Sequence, residues 1–241
     1  MSKLTICLWS NYTAEEQAEF YTSLVPNSRI TKVHRTPADT PSQKAGDVIT
    51  AEIELDGRSF MLLNGGPIFT HSEAVSFVIS TEAQAETDRL WDAVVGGGGQ
   101  ESHDMDQNQE QGPIAGVTPH LTIRDGRAGE AIDFYKAAFG AEEAMRMPAQ
   151  DGKRLMHVHL KINGGSVMMN DDFPEYRGGP SAEPASVTLH LQVDDADRWF
   201  ERAVQAGATI SLPLADQFWG DRYGQVKDPF GHSWSIGASK R

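Results

Sequence analysis

A single cysteine, Cys7, is all the thiol chemistry in these 241 residues. No intramolecular disulfide holds the fold, and a reducing compartment is the expected setting. Long apolar runs are missing as well. No stretch approaches the roughly 20 apolar residues that a membrane-spanning helix needs. The opening Met1-Ser2-Lys3-Leu4-Thr5-Ile6-Cys7-Leu8-Trp9 has too short an apolar run, and no small-residue cleavage site, for a secretory signal. The sequence therefore predicts a cytoplasmic protein with no membrane partner. Basic charge is scarce: Lys+Arg 21 against Asp+Glu 34 leave a formal charge of −13. With no Lys/Arg cluster, such a surface repels a phosphate backbone, so no nucleic-acid partner is expected. Neither a Gly-x-Ser-x-Gly elbow nor a P-loop occurs, and Cys7 has no recognisable His/Asn partner. What is present is a 39% hydrophobic content, enough for packed cores.

The chain repeats itself. Glu19-Phe20-Tyr21 matches Asp133-Phe134-Tyr135, each about one helix length after a short apolar strand. Glu54-Leu55-Asp56-Gly57-Arg58-Ser59-Phe60-Met61 lines up without a gap on Lys161-Ile162-Asn163-Gly164-Gly165-Ser166-Val167-Met168, and Asp88-Arg89-Leu90-Trp91 pairs with Asp197-Arg198-Trp199-Phe200. Three matches in one order point to duplication. Asp-Gly at 56–57 and Asn-Gly at 163–164 predict hairpins over 46–64 and 152–170. Thr13 with Glu16 predicts a capping box opening a helix that runs to about Leu24. Strands at 74–80 and 186–193 lead into helices over 83–95 and 195–206, closed by Gly96 and Gly207. Strands at 208–212, near 223–228 and at 232–238 complete the second half only, with a long loop after the first of them.

The expected architecture is α+β, tandem βαβββ modules: an incomplete domain at 1–99, a polar glutamine-rich linker at 100–113, and a complete domain at 114–241. The missing strands leave a sheet edge in the first half. Either the second half or another copy of the chain, hence a homodimer, is expected to cover it.

The stretch Asp216-Gln217-Phe218-Trp219-Gly220-Asp221-Arg222-Tyr223-Gly224-Gln225-Val226-Lys227-Asp228-Pro229-Phe230-Gly231-His232-Ser233-Trp234 resembles the PhnB-like branch of the glyoxalase/bleomycin-resistance/extradiol-dioxygenase, or vicinal oxygen chelate (VOC), superfamily. So do Thr118-Pro119-His120-Leu121-Thr122-Ile123-Arg124-Asp125 and Phe139-Gly140-Ala141. Phe20-Tyr21 and Leu63-Asn64-Gly65-Gly66-Pro67 are similar to a sister branch labelled demethylubiquinone methyltransferase-like. The resemblance implies paired βαβββ modules whose sheets curl around a cavity. It also implies ligand positions for a divalent metal at Thr118, Met168, Thr188 and Ser235. None of the four residues is a good ligand, so no metal cofactor is expected.

The candidate ligand-binding residues are His120, His157, His190, Trp219, Arg222 and Tyr223. His120 and His190 occupy matching positions of related strands, two residues beyond the implied metal positions. Trp219, Arg222 and Tyr223 are read as a lid, with Arg222 meeting an anionic group. The competing reading pairs Arg222 with Asp221 or Asp216. His232 is expected to be structural, and Asp171, Asp172 and Glu175 a solvated acidic loop. The expected function is binding of a small polar, anionic or aromatic compound. The alternative is a divalent-metal lyase, isomerase or dioxygenase using His120 and His190, with His157 as a further ligand. Methyl transfer finds no support in the residues: Ser10-Asn11-Tyr12-Thr13 follows the first strand where a glycine-rich turn would be needed.

Overall fold

A computed structural model describes residues 4–39, 44–72, 74–81, 83–97, 117–177, 179–218 and 220–239. The linker expected at 100–113 and the lid residue Trp219 lie outside the described residues.

The element order shows the duplication directly. The first βαβββ module is β1 (Leu4–Ser10), α1 (Ala14–Leu24), β2 (Arg29–Arg35), β3 (Val48–Leu55) and β4 (Arg58–Asn64). Of the second, the described residues contain β5 (Val75–Ile79) and α2 (Gln84–Gly96). The third is β6 (Val117–Ile123), α3 (Ala128–Phe139), β7 (Glu142–Pro148), β8 (Leu155–Ile162) and β9 (Gly165–Asp171), followed by the single turn α4 (Pro174–Arg177). The fourth is β10 (Val187–Gln192), α5 (Ala196–Gln205), β11 (Thr209–Asp216), β12 (Asp221–Lys227) and β13 (Ser233–Ser239). Among the described residues no helix is long and apolar enough to cross a bilayer.

The described chain forms two compact units. One comprises the described residues within 1–7, 71–77 and 119–241; the other comprises those within 8–70 and 78–118. In the first, β10 and β13 run parallel with His190 opposite Ser235, and β12 lies antiparallel to β13 with β11 beyond it. The related strands β6 and β9 also run parallel, with His120 opposite Met168, and β8 and β7 follow. Beside β6 the backbone of Thr122 donates to Ala74 O at 3.0 Å. Residues leading into β5 thus take up one side of that strand.

The core of this unit is aromatic. Trp234, Tyr135 and Phe139 are fully buried. Trp234 lies 5.4 Å from Tyr135 and 4.6 Å from Phe139 between ring centroids. Such pairs add about 0.5–1.5 kcal/mol each beyond the area they bury. The buried Asp228 accepts from Tyr135 Oη (2.8 Å), Trp234 Nε1 (2.9 Å) and the backbone N–H groups of Phe230 and His232. His232 is buried beside it, Nδ1 to Oδ2 3.7 Å, in the structural place expected of it.

In the other unit, β3 pairs antiparallel with both β4 and β2. Gly65 N donates to Ser10 O, and Trp9 Nε1 donates to Gly66 O at 2.6 Å. No side chain could replace Gly65, since a Cβ there would stand 2.1 Å from the Trp9 ring.

The helix starts correct one expectation. Thr13 makes no side-chain cap bond; its hydroxyl accepts from Gln17 Nε2 instead. The orphan N–H of Ala14 is taken by Asn64 Oδ1 at 2.9 Å, reaching from the end of β4. The third module repeats the device: Asp171 at the end of β9 accepts from Ala128 N at 2.8 Å and from Leu155 N at 2.7 Å. Asp171 is therefore no solvated loop carboxylate but a buried cap. Asp172 is buried too and accepts from Ser181 N and Oγ. Glu175 pairs with Arg154. The helix α5 carries its own cap, Asp195, accepting from Arg198 N.

Candidate functional site

The fourth module carries a polar sheet face. In β10 the apolar Leu189 and Leu191 are buried, and Thr188, His190 and Gln192 between them are half-buried. A period of two places those three on the opposite face. The helix-covered side is identified by Trp234, which sits opposite Leu189 and packs on Tyr135 and Phe139 of α3. In β12, Gly224 faces α5, where a Cβ would stand 2.7 Å from Phe200. Tyr223 and Gln225 therefore point the other way, towards His190 and Ser235.

On that face the His190 and Tyr223 rings stack, centroids 5.9 Å apart and planes 25° from parallel. The stack needs Gly237 beneath it: a Cβ there would approach His190 Cε1 to 3.0 Å and Tyr223 Cδ2 to 3.4 Å. Hydrogen bonds fix both rings. His190 Nδ1 lies 2.9 Å from Ser235 Oγ, and Nε2 lies 3.1 Å from Gln192 Oε1. The amide oxygen only accepts, so Nε2 carries the proton and Nδ1 accepts from the Ser235 hydroxyl. Gln225 Nε2 donates to Tyr223 Oη at 2.8 Å. Burial holds the His190 pKa below the usual histidine range, although the Gln192 bond and the Asp221 charge oppose the shift. The imidazole is neutral at pH 7.

Arg222 does not join this face. The sequence reading put it in a loop beside Tyr223, but β12 begins at Asp221, and neighbours within a strand point to opposite sides. Its guanidinium makes two bonds to Asp197 on α5, Nε–Oδ2 2.5 Å and Nη2–Oδ1 2.6 Å, and a third to Asp216 at 3.3 Å. The competing expectation of a partner at Asp216 is met, and Asp197 is added.

His120 and His157 stand on other strands. On the β6–β9–β8 sheet, His120 faces Met168, and Met168 faces His159 across the next ladder. The His120 and His157 rings stack at 6.2 Å between centroids. All three imidazoles are buried, 3–5% exposed, and His159 Nε2 bonds Ser166 Oγ. The structure thus brings His120 to His157 and His190 to Tyr223, and it does not gather His120 and His190 into one set. Duplication gives them equivalent positions, but the strands belong to different sheets.

The residues do not fit the metal centre that the family resemblance implies. Thr118, Met168, Thr188 and Ser235 offer three hydroxyls and a thioether, and Ser235 is already bonded to His190. Both nitrogens of His190 are occupied, so coordinating a metal would break one of its bonds. Among the described residues no group of three or more His, Cys, Asp or Glu stands where it could hold a metal ion.

The residues sequence reasoning overlooked are Gln192 and Gln225. The signal was available in the period of two, counted from His190 and Tyr223. Thr188 and Ser235 were noted only as unsuitable metal ligands.

Comparison with known proteins accords with this architecture. Residues 118–236 match the family model of the Glyoxalase/Bleomycin resistance protein/Dioxygenase superfamily. Residues 2–107 match that of 3-demethylubiquinone-9 3-methyltransferase. A Mycobacterium bovis protein, Mb0911c, is 53% identical over 130 residues, covering 52% of this chain and 84% of that one. Protein YjdN of Escherichia coli is 29% identical over 147 residues, covering 52% and 96% respectively. Among solved structures, glyoxalase I from Zea mays is similar over 98% of this chain and 92% of its own, with a TM-score of 0.62 at 15% identity. At that identity the likeness is one of fold, and the shared fold is the tandem arrangement of βαβββ modules.

Proposed function

We propose, from the premise that this chain belongs to the glyoxalase/bleomycin resistance protein/dioxygenase superfamily, that it binds a small polar or aromatic molecule on the β10–β12–β13 face without the superfamily's usual metal. One observation carries the reading. The His190–Tyr223 stack is held over Gly237 and locked by Ser235, Gln192 and Gln225. A sheet that only needed to be wetted would not need two fixed rings and a glycine floor. Fixed rings present π surface at low entropic cost, and the surrounding amides and hydroxyls present donors and acceptors in set directions.

In this reading Tyr223 offers its ring, Gln192 and Gln225 offer their remaining amide valences, and neutral His190 positions Tyr223. His190 is not free to act as a general base: its Nε2 proton is committed to Gln192 and its Nδ1 accepts from Ser235. The function supported best is therefore recognition, as in a sequestering or sensing protein.

The test is retention. Wild-type protein and the Tyr223→Leu variant are equilibrated with a small-molecule extract, washed, and analysed by mass spectrometry for organic compounds and metals. The proposal expects a compound kept by the wild type and lost by the variant, with no stoichiometric divalent metal. Equal retention by both proteins, or a bound metal whose removal releases the compound, refutes it.

A further inference from the structure

We infer that the compound held on the β10–β12–β13 face is a planar molecule that is uncharged or positively charged, and that carboxylates and phosphates are disfavoured there. This rests on the reading that the face binds a ligand at all.

The charges around the stack decide the sign. Asp221 lies two residues before Tyr223 in the same strand, so its side chain shares the face. Its Cα partner is Ser239, two steps along the ladder from the Tyr223–Gly237 pair. Among the described residues the Asp221 side chain enters no hydrogen bond or salt bridge, and its charge is felt at His190. Two residues of strand span roughly 7 Å, within the screening length of physiological salt.

No described cation of this module answers it near the stack. Arg222 is turned to the α5 side and saturated by Asp197 and Asp216. Lys227 shares the face by alternation but stands four residues beyond Tyr223, roughly 13 Å along the strand and past a Debye length. His190 is neutral. The face of the Tyr223 ring is itself electron-rich and attracts cations. The chain's formal charge of −13 adds a background potential of the same sign. An anion here would meet a carboxylate, a ring face and, among the described residues of this module, no nearby counter-charge; a protonated amine would meet two favourable partners.

Three probes that share one ring and differ in charge test this: tryptamine, 3-methylindole and indole-3-acetate, titrated calorimetrically into the full chain. The expected order of affinity is tryptamine, then 3-methylindole, then indole-3-acetate, with about tenfold between the extremes at low salt. Asp221→Asn should shrink that ratio to about twofold, as should about 0.5 M salt. Tyr223→Leu should weaken all three. Indole-3-acetate binding as tightly as tryptamine, or a ratio untouched by Asp221→Asn, overturns the charge assignment and leaves the binding face standing. If no probe binds, or Tyr223→Leu changes none of the affinities, the binding reading itself falls and this inference with it.

Discussion

Tyr135 on α3 donates its hydroxyl to Asp228, just beyond β12, across 2.8 Å in complete burial. The bond ties the third module to the fourth, 93 residues apart in sequence. Burial alone would raise the Asp228 pKa. The His232 charge and hydrogen bonds from His232, Trp234 and Tyr135 outweigh it and hold the carboxyl below its ordinary value.

A carboxylate with a depressed folded pKa stabilises the protein above its unfolded pKa of about 4 and stops doing so as pH falls through the folded value. Tyr135→Phe removes one donor while keeping the ring. The expected cost is about 1–3 kcal/mol at pH 7, read as a shift of the urea midpoint. The same variant should begin acid unfolding at a higher pH than the wild type. An unchanged acid transition would contradict the role assigned to the bond.

Gly237→Ala tests the floor of the stack. The glycine backbone is not in the left-handed region, so alanine is tolerated locally, and the strain falls on His190 Cε1 at 3.0 Å. The expected result is roughly tenfold weaker binding of the indole probes with a stability change within about 1–2 kcal/mol. Normal binding by a folded alanine variant would show that the rings do not need their present separation.

Asn64 and Asp171 perform one task in two modules, and removing them should hurt unequally. Asn64→Ala loses a half-exposed cap and should cost about 1 kcal/mol. Asp171→Ala strands two buried N–H groups, of Ala128 and Leu155, and should cost about 2–4 kcal/mol. Denaturant titration of each variant checks the ranking, and a larger loss at Asn64 would reverse it.

Much of this organisation was legible in the residues. Asp56-Gly57 and Asn163-Gly164 marked the hairpins β3–β4 and β8–β9, and all four of these residues have positive φ. The repeat register that carries Asp56 onto Asn163 also carries Asn64 onto Asp171, the two caps. The strands β2 and β7 were harder to read. Arg29–Arg35 and Glu142–Pro148 are charged and largely exposed, so hydropathy gave them no strand signal; pairing with β3 and β8 forms them. At the site, the histidines were visible but their partners were not. Sequence equivalence says which positions correspond, and it does not say which sheet each strand joins. Arg222 was misplaced because β11 and β12 reach further into the presumed loop than propensity indicates, and one added strand residue decides which face a side chain takes.

Arg222→Ala follows from that placement. Its ion pairs are partly exposed, so the loss of stability should stay within about 1 kcal/mol. Affinity for the indole probes should change less than about twofold at physiological salt, because the guanidinium is turned to the opposite face of the sheet and its charge is paired with Asp197 and Asp216. A large loss of affinity would return Arg222 to the binding residues.

Chelation separates recognition from metal chemistry. Overnight dialysis against EDTA should leave probe affinity unchanged, because neither His190 nitrogen is available for a metal without breaking a bond. Loss of binding restored by one divalent ion would point to a centre built from other residues.

The most direct test of the ligand face is the ¹⁵N spectrum of the His190 imidazole in the full chain, recorded with and without tryptamine. Before addition, Nε2 should appear protonated and Nδ1 unprotonated at pH 7; on saturation both signals, and the Tyr223 ring protons, should shift together. Saturable binding that leaves His190 and Tyr223 unmoved would place the ligand elsewhere and contradict the account.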